Sequence, residues 1–328
     1  MGMGQMKQKN FAEAMTDALL ECMEEFSNFS FVGAEVFGLG PHGAQLERLS
    51  EKFSDRMSFP PISEAAIAGL GIGAAQAGER VFVDIGSPAA IYLAMTQIIN
   101  EAGNAHYMSN GQIDVPVVFH MMHGLRGSGA AQHSHSPQAM LWNAPGIEIV
   151  LPSGPRDVKG LLHSAIRSNN PTVFLTHGKL LDFVGPVPDE PYQIPFGQAE
   201  VKRQGSDVTI VATSLTVQVA LAAAADLAAD GIEMEVVDPK TLVPFDKRTI
   251  LDSVAKTGRL ITADETNLNC GVASEISAFI AEEGFDLLKA PIKRLARPNV
   301  PVPAGGELET YITITKKKIA DAARQILD

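Results

Sequence analysis

Between Val117 and Ser136 a β-branched apolar run gives way to a segment with glycines at 124, 127 and 129 and histidines at 120, 123, 133 and 135. These are four of the eight histidines in the chain. Imidazole gains and loses a proton near neutral pH, so it can act as acid, base or donor to an oxygen that becomes charged. Glycine lets the backbone adopt positive φ and lets a ligand approach the main chain. A strand opening into such a loop is where α/β proteins commonly carry chemistry. The run is read as a strand from Val115 to Phe119, announced by Pro116, with all four histidines in the loop beyond it. A polar surface loop with incidental histidines is the plainer alternative.

Glu64 is the second chemical group. Pro60 and Pro61 impose an extended approach, Ser63 is placed to cap a helix, and residues 65–75 are all small or apolar. A helix without a polar face is expected to be buried on all sides, and Glu64 with it. A buried carboxylate is costly unless something specific meets it, although a simple capping acid at a helix start is also possible. Gly69, Gly71 and Ala74 match a dinucleotide-binding pattern, but inside a helix rather than in the turn after a strand, so they are read as close-packing residues.

The elements needed to position these groups follow from periodicity. A helix is expected from Phe11, capped by Asn10, then a strand at 29–34, a Gly/Pro loop at 36–43 and a helix at 44–53. After the Glu64 helix come strand 81–85, helix 89–105, the histidine-bearing region, a helix from about His135 to Asn143, strand 147–151, helix 156–167 and strand 172–176. Prolines at 186, 188, 191 and 195 mark a linker. A second series follows: strand 208–212, a helix through alanines 220–229, strand 234–237, helix 246–255, strand 259–263, helix 271–282, strand 292–296 and a closing helix 310–327. This alternation specifies an α/β protein with two doubly wound, mostly parallel-sheet domains, 1–190 and 191–328.

Four stretches, in order, carry a family resemblance: Pro61-Ile62-Ser63-Glu64, Tyr107-Met108-Ser109-Asn110-Gly111-Gln112, Ala130-Ala131-Gln132-His133-Ser134, and Lys159-Gly160-Leu161-Leu162 through Asn169-Asn170-Pro171. With Glu235-Val236-Val237-Asp238 and Lys256-Thr257-Gly258-Arg259 they span nearly the whole chain. The sequence resembles the β subunit of the thiamine-diphosphate-dependent 2-oxo acid dehydrogenases (pyruvate, branched-chain and acetoin). The resemblance implies a transketolase-like pyrimidine-binding domain followed by a transketolase C-terminal domain. It assigns Glu64 to hydrogen bonding of the cofactor's aminopyrimidine, and His133 to hydrogen bonding of substrate oxygens. It places Gly86, Ala90 and Leu93 beside the pyrimidine, where relatives carry larger or polar groups. His120 stands where an arginine is usual, and His123 and His135 are additions, which points to an altered substrate pocket. Ala34 replaces a usual glutamate. Val117, Ala165, Ile166, Ser168 and Asn170 match positions where some relatives bind potassium, with Ser168 in place of an aspartate.

The chain has no Gly-Asp-Gly, the motif that begins the Mg²⁺–diphosphate site in thiamine enzymes. The resemblance therefore implies an α subunit that holds Mg²⁺ and the diphosphate, in an α2β2 assembly with a β–β contact. A lipoyl acyltransferase that accepts the product is a further implied partner. Cleavage of a 2-oxo acid or of an α-hydroxyketone such as acetoin is the expected activity. The C-terminal half of a split transketolase is the alternative reading. A zinc hydrolase built on the four histidines and a subunit without a site of its own are the others considered. A net charge of −12 opposes a nucleic-acid surface. Two cysteines are too few for a disulfide framework, and no apolar run reaches the roughly 20 residues a membrane span requires. Without an apolar core near Met1 for a signal peptide, the expected location is the cytoplasm.

Overall fold

The computed structural model describes residues 5–33 and 42–328. The chain forms two compact units, one from residues up to 123 together with 141–196, the other from 124–140 together with 197–328.

The first unit contains, in chain order, β1 (Met6–Asn10), α1 (Phe11–Glu25), β2 (Phe29–Gly33), α2 (Gly43–Phe53), β3 (Met57–Ser58), α3 (Glu64–Gln76), β4 (Arg80–Gly86) and α4 (Ala90–Met95). The helix then passes through a π-helical stretch, Thr96–Ala102, into α5 (Gly103–Met108), followed by β5 (Val117–His123). After α6 (Gln138–Trp142) come β6 (Glu148–Val150), α7 (Pro155–Arg167), β7 (Thr172–His177) and β8 (Val184–Pro188). Asn10 begins α1 as expected. Its side chain accepts the N–H of Glu13 at 2.8 Å, and the Glu13 carboxylate accepts the N–H of Asn10 at 2.8 Å. The main sheet is parallel, in the order β6–β7–β5–β4–β2–β3. Phe31, Phe82, Phe119 and Phe174 on its strands are buried, as continuous apolar strands in a doubly covered sheet should be.

Part of the expected linker is a strand. β8, with Pro186 and Pro188, pairs antiparallel with β1, an isolated two-stranded ribbon that tolerates proline better than a central strand does. The buried Lys159 fastens the segment just beyond, donating to the carbonyl oxygens of Pro188 and Asp189 at 3.2 and 2.9 Å.

The second unit contains β9 (Glu200–Arg203), β10 (Val208–Ala212), α8 (Leu215–Ala229), β11 (Met234–Asp238), β12 (Thr241–Val243), α9 (Lys247–Thr257), β13 (Leu260–Asn267), α10 (Val272–Glu283), β14 (Lys293–Arg297), α11 (Gly306–Ile312) and α12 (Lys316–Leu327). Its sheet runs β14–β13–β10–β11–β9, parallel except for β9. Val208, Ile210 and Ala212 join α8 and α12 in one apolar core. The intervening Thr209 bonds Ser253 and Thr257 of α9, so alternate residues of β10 serve opposite faces. The expected closing helix is two helices, because the chain breaks at 313–315 and restarts with Thr315 capping Lys318.

Candidate active site

β5 does not end at Phe119. It stays paired with β7 as far as His123 opposite His177, so His120 and His123 lie in the sheet and not in the loop expected to carry them. His120 is buried, with Nδ1 3.2 Å from Asp84 Oδ1 and Nε2 3.0 Å from Thr176 Oγ1. Its ring also stacks on Phe82 at 5.4 Å. His123, buried as well, meets His177 edge-on at 5.3 Å. With both ring nitrogens engaged and Phe82 stacked on its ring, the buried His120 is held as part of the sheet.

Gly86 ends β4 at φ +91°, where the β4–β5 register shifts between Asp84 and Gly86. Ala90, the first residue of α4, is buried, and Leu93 is 65% exposed.

The helix after Glu64 is buried on one side only, contrary to the expectation from its composition. Ile67, Ala68, Gly71, Ile72 and Ala75 face inward, whereas Ala66, Gly69, Leu70 and Gly73 form an exposed stripe at helical spacing. Gly71 is a close-packing residue as expected, since a Cβ there would collide with Val83 of β4. Ser63 makes no side-chain cap bond; its carbonyl accepts the N–H of Ile67 at 2.8 Å. Glu64 is half-buried at the start of the helix. Ile62, Tyr107 and Met108, all in the first unit, are likewise strongly exposed. Composition cannot distinguish a core face from a face awaiting a partner.

In the second unit the glycine-rich loop is held at several points. Its backbone takes positive φ at Gly124, Gly127, Ser128 and Ala130. Gly124 donates to the His135 carbonyl at 2.8 Å, and Leu125 donates to Glu265 Oε2 at 3.1 Å. Gly127 and Ser128 donate to the two oxygens of Glu309 at 2.8 and 2.6 Å. Arg126 Nε donates to the His133 carbonyl at 3.0 Å, and Arg297 Nη1 to the Ser134 carbonyl at 2.9 Å. Leu125 is buried with Val302 and Ile312. These bonds leave His133 exposed on a fixed backbone and His135 half-buried. Burial, and then the positive charge of Arg297, lower the pKa of His135 below the usual imidazole value.

Glu265, Glu309 and Arg297 were not among the expected site residues. The only hint is an acid inside the apolar run Leu260-Ile261-Thr262-Ala263-Asp264-Glu265, since a buried carboxylate needs a partner. Asp84, in the apolar strand before Gly86, gives the same kind of hint.

At two of the five expected potassium positions, Ile166 and Ser168, the carbonyls meet a different cation. Arg80 Nη1 donates to the carbonyls of Ile166 and Ser168 at 2.9 Å each, and its Nη2 to Asn169 Oδ1 at 3.0 Å. The Ala165 carbonyl accepts the N–H of Ser168 at 3.2 Å, the Asn170 amide donates to Glu148 at 3.1 Å, and Val117 is buried in β5. Among the described residues no group of three or more His, Cys, Asp or Glu could hold a metal ion. No helix among them is long and apolar enough to cross a membrane. Ala34 and residues 36–41 of the Gly/Pro loop lie outside the described residues.

Residues 7–182 match the family described as the transketolase pyrimidine-binding domain, and residues 197–319 match the transketolase C-terminal domain. The β subunit of acetoin:2,6-dichlorophenolindophenol oxidoreductase from Cupriavidus necator is 42% identical over 279 residues, 85% of this chain and 82% of the relative. The chain belongs to this transketolase-like β-subunit family. The 2-oxoisovalerate dehydrogenase β subunit of Bacillus subtilis is 37% identical, covering 97% of this chain and 98% of the relative. The pyruvate dehydrogenase E1 β subunit of Rickettsia conorii is 37% identical, covering 96% and 97%. A solved split-gene transketolase, described as an inactive β4 tetramer, superposes with a TM-score of 0.79 at 23% identity, covering 96% of this β subunit and 97% of that chain. That likeness establishes the fold. The higher identity to dehydrogenase β subunits favours them over the split-transketolase alternative.

Proposed function

We propose that this β subunit supplies half of a thiamine-diphosphate-dependent active site that breaks the C–C bond beside a carbonyl, in a 2-oxo acid or an α-hydroxyketone such as acetoin. The observation that carries the reading is 37–42% identity, over 82–98% of each relative, to β subunits named for acetoin, 2-oxoisovalerate and pyruvate.

Glu64 fits the cofactor's aminopyrimidine. It is a half-buried carboxylate in the first turn of α3, beside an exposed apolar face that suits a ring and a partner chain. With the cofactor bound there, the Glu64 carboxylate would hold a hydrogen bond to the ring nitrogen and so assist removal of the thiazolium proton. Gly86 and Ala90 leave room beside the ring, and the exposed Leu93 offers it an apolar surface. Thiamine diphosphate, when bound, supplies an acidic thiazolium carbon as nucleophile and electron sink. His133 donates a hydrogen bond to the substrate oxygen on which charge develops, its backbone fixed by Arg126 and, through Ser134, by Arg297. His135 contacts substrate from the same loop.

An α subunit holds Mg²⁺ and the diphosphate, since this chain has no Gly-Asp-Gly. The exposed stripe of α3 with Ile62, Tyr107 and Met108 is the surface it covers, in an α2β2 assembly with a β–β contact. A lipoyl acyltransferase takes the acyl product. Potassium does not fit the residues present, because Arg80 occupies two of the carbonyls. Both cysteines are free thiols, which suits the reducing cytoplasm.

Co-expression with a chain that carries Gly-Asp-Gly and a downstream Asn tests the reading. Dye reduction with pyruvate, 2-oxoisovalerate or acetoin is the expected result. Ketol transfer between sugars in its place would overturn it.

A further inference from the structure

β13 and β14 run parallel and end side by side, Asn267 opposite Arg297. Ligands of open parallel sheets bind beyond the carboxyl ends of the strands. At this place the second unit has a cavity of about 660 Å³ whose polar lining is Arg297, His135, Asn267, Asn269 and Asn299. That volume falls in the usual small-molecule range of about 300–1,000 Å³. None of the described residues lining it is acidic.

The composition of the lining selects a ligand charge. Arg297 is buried, at 5% exposure, and donates to the Ser134 carbonyl at 2.9 Å. A guanidinium carries five donors in a planar fork, so it can serve the loop and a ligand together. Three side-chain amides and an imidazole add neutral donors around it. Burial lowers the pKa of His135, and the positive field of Arg297 adds to it. An anion would offset that field, and His135 could then be protonated and become a further donor. Charge-assisted bonds to an oxyanion are the strongest such a lining can form.

We propose that this cavity binds a small oxyanion, a carboxylate or phosphate group, between Arg297, His135 and the amides of Asn267, Asn269 and Asn299. Ala131 and His135, which line it, flank His133 in the same five-residue segment. The anion therefore sits next to the group assigned to substrate oxygens. It has two possible sources, an anionic group of the substrate itself or a free anion such as phosphate.

The full-length chain is labelled with ¹³C at the histidine ring carbons, the His135 signal is assigned with His135→Asn, and inorganic phosphate or malonate is titrated at constant ionic strength. A saturable shift of His135 is expected, with its pKa moving up toward the ordinary value. Arg297→Met should weaken binding by about tenfold or more, the scale of one charge-assisted bond. Asn299→Asp should weaken it comparably while keeping the Arg297–Ser134 bond, so a loosened Arg297→Met loop cannot account for both results. No saturable shift in the wild type, or unchanged binding in Asn299→Asp, overturns the proposal. In the assembled enzyme, phosphate competing with substrate identifies the anion as the substrate's own, and bound phosphate without competition identifies a free anion. Only this last step rests on the function proposed above. The titration involves no thiamine chemistry, so its failure would leave that function standing.

Discussion

The carboxylate of Glu309 accepts the backbone N–H of Ser128 at 2.6 Å, and its other oxygen accepts that of Gly127 at 2.8 Å. Both residues are at positive φ, a conformation in which successive N–H groups converge on one anion. The loop shape is therefore set by an acid 181 residues away in sequence. Glu309→Ala would leave two N–H groups without their acceptor; bonds to charged groups are worth about 1.5–3 kcal/mol each, and water replaces part of that because Gly127 and Ser128 are exposed. Urea unfolding should show Glu309→Ala less stable by about 2–3 kcal/mol with unchanged m, and Glu309→Gln in between. A loss under about 0.5 kcal/mol, the size of an ordinary surface substitution, would mean that the clamp does not hold the loop.

Glu64→Gln keeps the size of the side chain and removes the carboxylate. In the assembled enzyme, hydrogen–deuterium exchange at the thiazolium carbon should slow by about 10²–10⁴, with the thermal midpoint unchanged. Exchange at the wild-type rate would remove Glu64 from cofactor activation.

His133 and His120 should separate activity from stability. His133→Ala should lower kcat by about 10²–10³ and leave the unfolding midpoint alone, because the side chain is exposed. His120→Ala deletes a buried ring from the sheet and leaves Asp84 and Thr176 without it, which should cost about 3–5 kcal/mol. A stable, active His120→Ala protein would contradict its structural role, and a fully active His133→Ala would contradict its catalytic one.

His135 carries a pH prediction. Its folded pKa lies below the ordinary value of 6.5, so over that window the unfolded chain binds more protons than the folded one. Stability then rises with pH and falls as pH drops through the unfolded pKa. His135→Asn removes this term, so its stability relative to wild type should improve between about pH 7 and about pH 5. A constant difference across that range would mean that His135 titrates as it does in the unfolded chain.

Much of the fold was legible because its signals are local. The alternation of β-branched runs and helical periodicity located the strands and helices of both units, and the Asn10–Glu13 pair marked the start of α1. Glu64 and His133 stood out by context, an acid heading an apolar helix and an imidazole among glycines. What the sequence hid depends on distant partners. Nothing near His120 signals Asp84 or Thr176, which hold it in the sheet from 36 and 56 residues away. The short residues of α3 read as core, yet Ala66, Gly69 and Gly73 face outward, since burial by another chain and burial by the same chain demand the same composition. Prolines 186 and 188 read as linker because only β1, far off in sequence, makes a ribbon of that segment.

On the function proposed above, this chain carries only half of the cofactor site. Isothermal titration of the isolated full-length chain with thiamine diphosphate and Mg²⁺ tests it most directly, repeated with the Gly-Asp-Gly partner present. No micromolar binding to the chain alone is expected, and saturable binding once the partner is added. Micromolar binding to the isolated chain, or cleavage of a 2-oxo acid by it without a partner, would contradict it.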